Sequence, residues 1–263
     1  MKWGLNRSEI LKKTLDKMYN IEYNKIMIEL IERKNVFEDY KIIASETAKI
    51  QEALFDNAIY SDIEDYNEKI EYKNIFDAID YKKYNLKYNE KILTCGHNDL
   101  KTFTKILFDI LLNLFEAIDI SELFILVDLK IDFYKYLFNK YKPLVNAYKK
   151  LKKITEKMYY TEAFYLNKLS EEIVDIIFWL SRCCPSMNNI IFFDKMERYY
   201  LSVCQYGNIH ITGLNENFIS DEIVNKSGLK IIEGREMDNF SKDQKINGRR
   251  LKIYTILILI LEE

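Results

Sequence analysis

The residues best placed to do chemistry lie around Gln205-Tyr206-Gly207-Asn208, where a short turn separates two alternating runs. A three-residue loop over 206–208 suits Gly and Asn, which both tolerate positive φ. That register sets Cys204 opposite His210 and Ser202 opposite Thr212. One face then carries Leu201, Val203, Ile209 and Ile211, and the other Tyr200, Ser202, Cys204, His210 and Thr212. The clean split favours this pairing over a two-residue loop, which would mix the faces. An imidazole beside a thiol lowers the thiol pKa and readies it for attack, so Cys204 and His210 are a candidate catalytic dyad. The same pattern also fits the wetter face of an ordinary half-buried sheet. No third orienting group and no oxyanion donor stands out.

Metal chemistry has less to draw on. Cys95, His97, Cys183, Cys184, Cys204 and His210 are the soft donors that zinc takes, but Cys95-Gly96-His97 and the vicinal Cys183-Cys184 match no common ligand spacing. No metal site and no cofactor is expected. Asp128-Leu129-Lys130, following the apolar run 123–127, would suit a metal-dependent nuclease if the segment were a strand, since both side chains would share one face. On a helix Lys130 points elsewhere, and the helix is the expected state. Glu171 and Asp175 share a helix face without the Glu-x-x-His of a di-metal bundle. A Walker A loop and a dinucleotide glycine fingerprint are both absent from the sequence.

Charge offers binding surfaces instead. Residues 140–157 hold seven lysines against Glu156, with Tyr141 and Tyr148 interleaved; Lys149, Lys150, Lys152 and Lys153 form the densest part. An acidic cluster, Asp62, Glu64, Asp65, Glu68 and Glu71, lies in a less regular stretch over 60–98. Lys245, Arg249, Arg250 and Lys252 make a smaller basic group. Each also fits a solvated surface, the usual fate of charge runs.

These residues sit in a chain of 263, 48% hydrophobic and 30% charged with a formal charge of −2, so it is long and apolar enough for a full core. Four cysteines are too few for a disulfide scaffold and point to a reducing, cytoplasmic setting. The N-terminus has no apolar signal core, and no segment reaches the ~18 uncharged apolar residues of a membrane span. The twenty tyrosines are best taken as amphipathic fillers of core and surface.

The elements that must position these residues read as helices first. Amphipathic patterns cover 8–34 and 37–58, thin polar stripes over 99–118 and 121–142 predict a central helical hairpin, and a further helix covers 155–182. Pro143 ends the second hairpin helix or starts the next segment. After Pro185 the period shifts towards two: 190–193, 199–205, 209–213, 229–233 and 251–261 are strand candidates, with a short helix over 220–226 and Gly228 past its end. The expected fold is α+β, a mainly helical N-terminal two-thirds followed by a small antiparallel or mixed sheet with a short helix. The expected division is 1–185 and 186–263, or one continuous unit. The function expected first is a non-catalytic, cytoplasmic interaction protein, such as a bacterial immunity or inhibitor protein that binds a toxin enzyme. Two alternatives stand beside it: an enzyme using the C-terminal sheet, by the Cys204–His210 pair or by metal-dependent nuclease chemistry, and a nucleic-acid-binding protein using the 140–157 lysines.

Overall fold

The computed structural model describes residues 27–56, 76–130, 141–155, 162–183 and 189–246. In chain order these form β1 (Ile28–Ile31), α1 (Arg33–Asp39), α2 (Lys41–Asp56), β2 (Tyr88–Thr94), α3 (Phe103–Ala117), β3 (Leu123–Val127), α4 (Lys142–Thr155), β4 (Ala163–Leu166), α5 (Glu171–Cys183), β5 (Ile190–Asp194), β6 (Tyr199–Val203), β7 (Ile209–Leu214), α6 (Asp221–Lys226) and β8 (Lys230–Ile231). The strands make one sheet in the order β1-β4-β3-β5-β6-β7-β2-β8, with every neighbouring pair antiparallel.

The sheet centre follows from side chains that are apolar on both faces. In β3, Leu123, Ile125 and Val127 pack into one core and Phe124 and Leu126 into another. The same alternation divides Phe164 from Tyr165 in β4, and Phe192 from Phe193 in β5. The larger core lies under α3, α4 and α5, where Phe103 and Phe178 are fully buried. The smaller lies under α1 and α2, around Val36, Phe37 and Ile43. Helices thus cover both faces, which is why so many strand residues are apolar without alternation.

Distant groups fix the helix starts. The Glu197 carboxylate, in the turn between β5 and β6, accepts from the backbone N–H groups of Ile42 (2.6 Å) and Ile43 (2.8 Å) at the beginning of α2. A negative charge there also suits the positive end of the helix. Ser170 Oγ accepts from Ile173 N at 3.2 Å and caps α5, whose first turn holds Glu171 and Glu172. Pro143 is the second residue of α4, where its missing N–H costs nothing.

The expected fold class is therefore corrected. The N-terminal two-thirds is not mainly helical, and the sheet is neither small nor confined to the end: the described residues form an eight-stranded antiparallel sheet with six short helices, and 38% of them are helical and 21% strand. The supposed second helix of the hairpin, 121–142, contains β3 and the start of α4. Likewise 155–182 divides into β4 and α5, and the end of 8–34 is β1 and the first turn of α1. For β3 and β4 the physical reason is shared. A short run buried on both faces has no polar side, so flanking polar residues at helical spacing set the apparent period. The helices over 99–118 and 220–226 are found as α3 and α6, and 190–193, 199–205, 209–213 and 229–233 overlap β5, β6, β7 and β8. The strand candidate over 251–261 lies outside the described residues. No described helix is long and apolar enough to cross a membrane.

Candidate functional site

The β6–β7 hairpin pairs Val203 with Ile209 and Ser202 with His210. The connection is thus five residues, 204–208, rather than three. A slip of two residues leaves the faces unchanged, so Leu201, Val203, Ile209 and Ile211 are buried while Ser202, Cys204 and His210 are half-buried opposite them. Inside the loop Gly207 N donates to Cys204 O at 2.9 Å and Cys204 N to Asn208 O at 2.9 Å. Gly207 takes φ +76°, and a Cβ there would lie 2.8 Å from the Phe103 ring, so the turn requires glycine.

Cys204 and His210 do come together, with a third group beside them. The Cys204 sulfur, a His210 ring nitrogen and a Glu236 carboxylate oxygen all lie within 4.8 Å of one another. His210 Nε2 is 3.3 Å from Glu236 Oε1. Glu236 reaches the hairpin because the segment after β8 is bonded to it. Asn208 Nδ2 donates to Met237 O (2.6 Å), Asn239 N to Tyr206 O (3.2 Å) and Asn239 Nδ2 to Gly207 O (3.0 Å). Thr94 Oγ1, on β2, donates to Asn239 Oδ1 at 2.7 Å. Asn208 and Asn239 are both buried, so these bonds are shielded from water. Sequence reasoning missed Glu236, which lies in irregular chain with no periodic signal.

The electrostatics oppose an activated nucleophile. Burial pushes the Cys204 thiol above its ordinary value, and the negative charge of Glu236 pushes the same way. Hydrogen bonds from the backbone of Tyr206 and Asn208 offset only part of this. At neutral pH the group is a thiol, whereas nucleophilic attack needs the thiolate.

Within the lysine-rich segment, Lys142–Thr155 forms α4. Its inner face buries Leu144, Ala147, Tyr148 and Leu151, so one of the two interleaved tyrosines is core. Lys149, Lys152 and Lys153 are exposed and Lys150 is half-buried. A groove of about 500 Å³ runs beside α4, lined by Lys101, Lys149, Lys150, Lys153, Asp175 and Trp179 among others. Lys152 does not line it. Asp175 is already engaged: Lys150 Nζ bonds to one oxygen and Trp179 Nε1 donates to the other at 3.0 Å. Among the described residues no ion pair holds Lys101, Lys149 or Lys153.

The Asp128 segment does follow a strand, as a nuclease arrangement requires, but the chain bends at 128–129. Asp128 is fully buried and Lys130 exposed, so the two do not share a site. Asn189 Nδ2 donates to Asp128 Oδ2 at 3.1 Å, and Leu129 N to Oδ1 at 2.9 Å. Asp77, nearby, is gripped by the Arg33 guanidinium (2.6 Å) and by Gln51 Nε2 (2.9 Å). Arg33 also donates to Val127 O at 2.7 Å, and Gln51 to Asp128 O at 2.7 Å. The network ties α1 and α2 to the end of β3, and its carboxylates are spoken for.

Among the described residues, Cys204, His210 and Glu236 are the one set of three such side chains with ligand atoms in mutual reach. Cys95, His97 and Cys183 join no such set; Cys184 lies outside the described residues. The acidic cluster of Asp62, Glu64, Asp65, Glu68 and Glu71, and Arg249, Arg250 and Lys252 of the C-terminal basic group, also lie outside them. Comparison with protein-family models, curated proteins and solved structures finds no match to this chain.

Proposed function

We propose that this chain is a non-catalytic binding protein whose α4 groove takes an acidic segment of a partner protein. The observation that carries the reading is three lysines, Lys101, Lys149 and Lys153, turned to one groove with no ion pair among the described residues. Such a cluster raises the local potential, steers an anionic partner and repels a basic one. Trp179 adds an apolar wall against which aliphatic or aromatic parts of the segment can pack. Stoichiometric inhibition of an enzyme, as by an immunity protein, is the narrower form of this reading. A reducing compartment, the cytoplasm, suits the free thiols of Cys95 and Cys204.

The test is capture of partners from native cells by wild type, by Lys149→Glu/Lys153→Glu and by the control Lys34→Glu, with stoichiometry from mass spectrometry. The expected result is one dominant partner at equal molar amount, kept by the control and lost by the double reversal. Its affinity falls at least about tenfold in the double variant and weakens with salt. Equal capture by all three proteins overturns the reading. So does binding of single-stranded RNA or DNA, with a steep salt dependence, in place of any protein.

A further inference from the structure

We propose that Cys204, His210 and Glu236 form a zinc site with three protein ligands and a fourth position for water. The site lies at the hairpin tip and is independent of the lysine groove. A sulfur, an imidazole nitrogen and a carboxylate oxygen are each zinc donors, and the three together are the kind of mixed set that leaves one tetrahedral position open. Hard cations such as Mg²⁺ and Ca²⁺ call for oxygen-only shells, and the thiol excludes them.

The geometry is close to what a metal needs. Bonds of about 2.0–2.3 Å place tetrahedral donors roughly 3.3–3.8 Å apart. The three donor atoms already lie within 4.8 Å of one another, so side-chain rotations of about 1 Å close the set. The backbones beneath them are fixed, Cys204 by the turn, His210 by the β7 ladder and Glu236 by the bonds that tie its neighbours Met237 and Asn239 to the same turn. A site whose ligands come from a hairpin and a separate segment, joined by buried hydrogen bonds, is preorganised rather than assembled on binding. All three residues are half-buried, which leaves a route for the ion and weakens competition from water.

When zinc enters, the S–H bond breaks, the proton passes to buffer and a Zn–S bond forms; thiolate and carboxylate then balance the two positive charges.

The test uses the full chain without a histidine tag. Zinc titrated against a chromophoric chelator is expected to bind at one equivalent. Cobalt in its place should give the visible bands of a four-coordinate ion and a sulfur-to-cobalt charge-transfer band. Cys204→Ser should abolish the charge-transfer band, and His210→Gln or Glu236→Gln should weaken zinc at least about tenfold. Cys95→Ser should change neither. Should a variant misfold, wild type alone decides: zinc should raise its Tm by several degrees and excess chelator should reverse this. The proposal is overturned if folded wild type binds no zinc with Kd below about 10 μM. It is equally overturned if binding and the charge-transfer band survive all three ligand substitutions.

Discussion

Asp128 shows how far burial alone can move a side chain. Its carboxyl is fully buried, and the loss of solvent pushes its pKa up to about 6, against the pull of the Asn189 and Leu129 hydrogen bonds and the Arg33 charge. The folded chain therefore holds this proton more tightly than the unfolded chain, whose carboxyl titrates near 3.8. Below about pH 4 both states are protonated and there is no penalty. Between there and about pH 6 the unfolded state ionises first, and stability falls by a total on the order of 3 kcal/mol. Asp128→Asn should remove that slope, because the Asn189 amide can turn to accept from the new NH₂. Urea unfolding at pH 4.5 and pH 8 should show wild type losing about 2 kcal/mol relative to the variant. An unchanged difference between the two proteins would show that Asp128 keeps its ordinary pKa. Cys204 obeys the same physics with a chemical readout: its raised pKa should make it react with a disulfide reagent at pH 7.5 more slowly than free cysteine does. A faster reaction would restore it as a nucleophile.

At the scale of elements, the end of β7 has no room for a side chain at Gly213, because the following turn folds back over it. A Cβ on Gly213 would lie 1.9 Å from the backbone oxygen of Asn217, and that turn is held by Asn217 Nδ2 donating to Leu214 O at 2.7 Å. Gly213→Ala should lower the urea midpoint by the equivalent of about 1–3 kcal/mol with an unchanged m-value. A neutral result would mean the turn shifts freely. The elements themselves were legible in the sequence in proportion to how one-sided they are. β6 and β7 alternate cleanly because one face meets α3 and α5 while the other is half-wet, so Cys204 and His210 could be put on one face from their spacing. Helix α6 carries its own signals, with Ser220 Oγ accepting from Ile223 N and Gly228 at φ +80° beyond its end. β3 and β4 were missed because Leu123–Val127 and Ala163–Leu166 are buried on both faces, and a run without a polar side has no period to read. Glu236 and Trp179 were missed as site members for another reason. Each arrives through tertiary packing, from a segment whose local pattern says nothing about its neighbours.

The whole molecule is held by a sheet that ignores the order of the chain. β3 pairs with β5 at five positions, from Leu123–Asp194 to Val127–Ile190, across residue 185. β2 pairs with β7 at six positions, from Tyr88–Leu214 to Leu93–Ile209, again joining early and late sequence. The core under α3, α4 and α5 runs beneath strands from both parts, with Ile125 and Phe164 beside Phe192, Leu201 and Ile211. Cutting after residue 185 would expose the edges of β3 and β2 and the apolar faces of α3 and α5 together, which neither part can bury alone. The intact chain should therefore unfold in one transition, with Trp fluorescence, sensitive to the packing of Trp179 on α5, and far-UV circular dichroism giving the same midpoint in urea. Residues 1–185 and 186–263 expressed separately should show no cooperative transition. A sigmoidal melt from either piece, or separate midpoints in the intact chain, would establish two units that fold on their own. Pairing strands so far apart in sequence also makes closure of long loops part of the barrier, so refolding should take milliseconds to seconds rather than microseconds. Stopped-flow dilution from urea, followed by Trp fluorescence, measures this directly, and a main phase complete within microseconds would mean that the β3–β5 and β2–β7 pairings form only after the barrier is crossed.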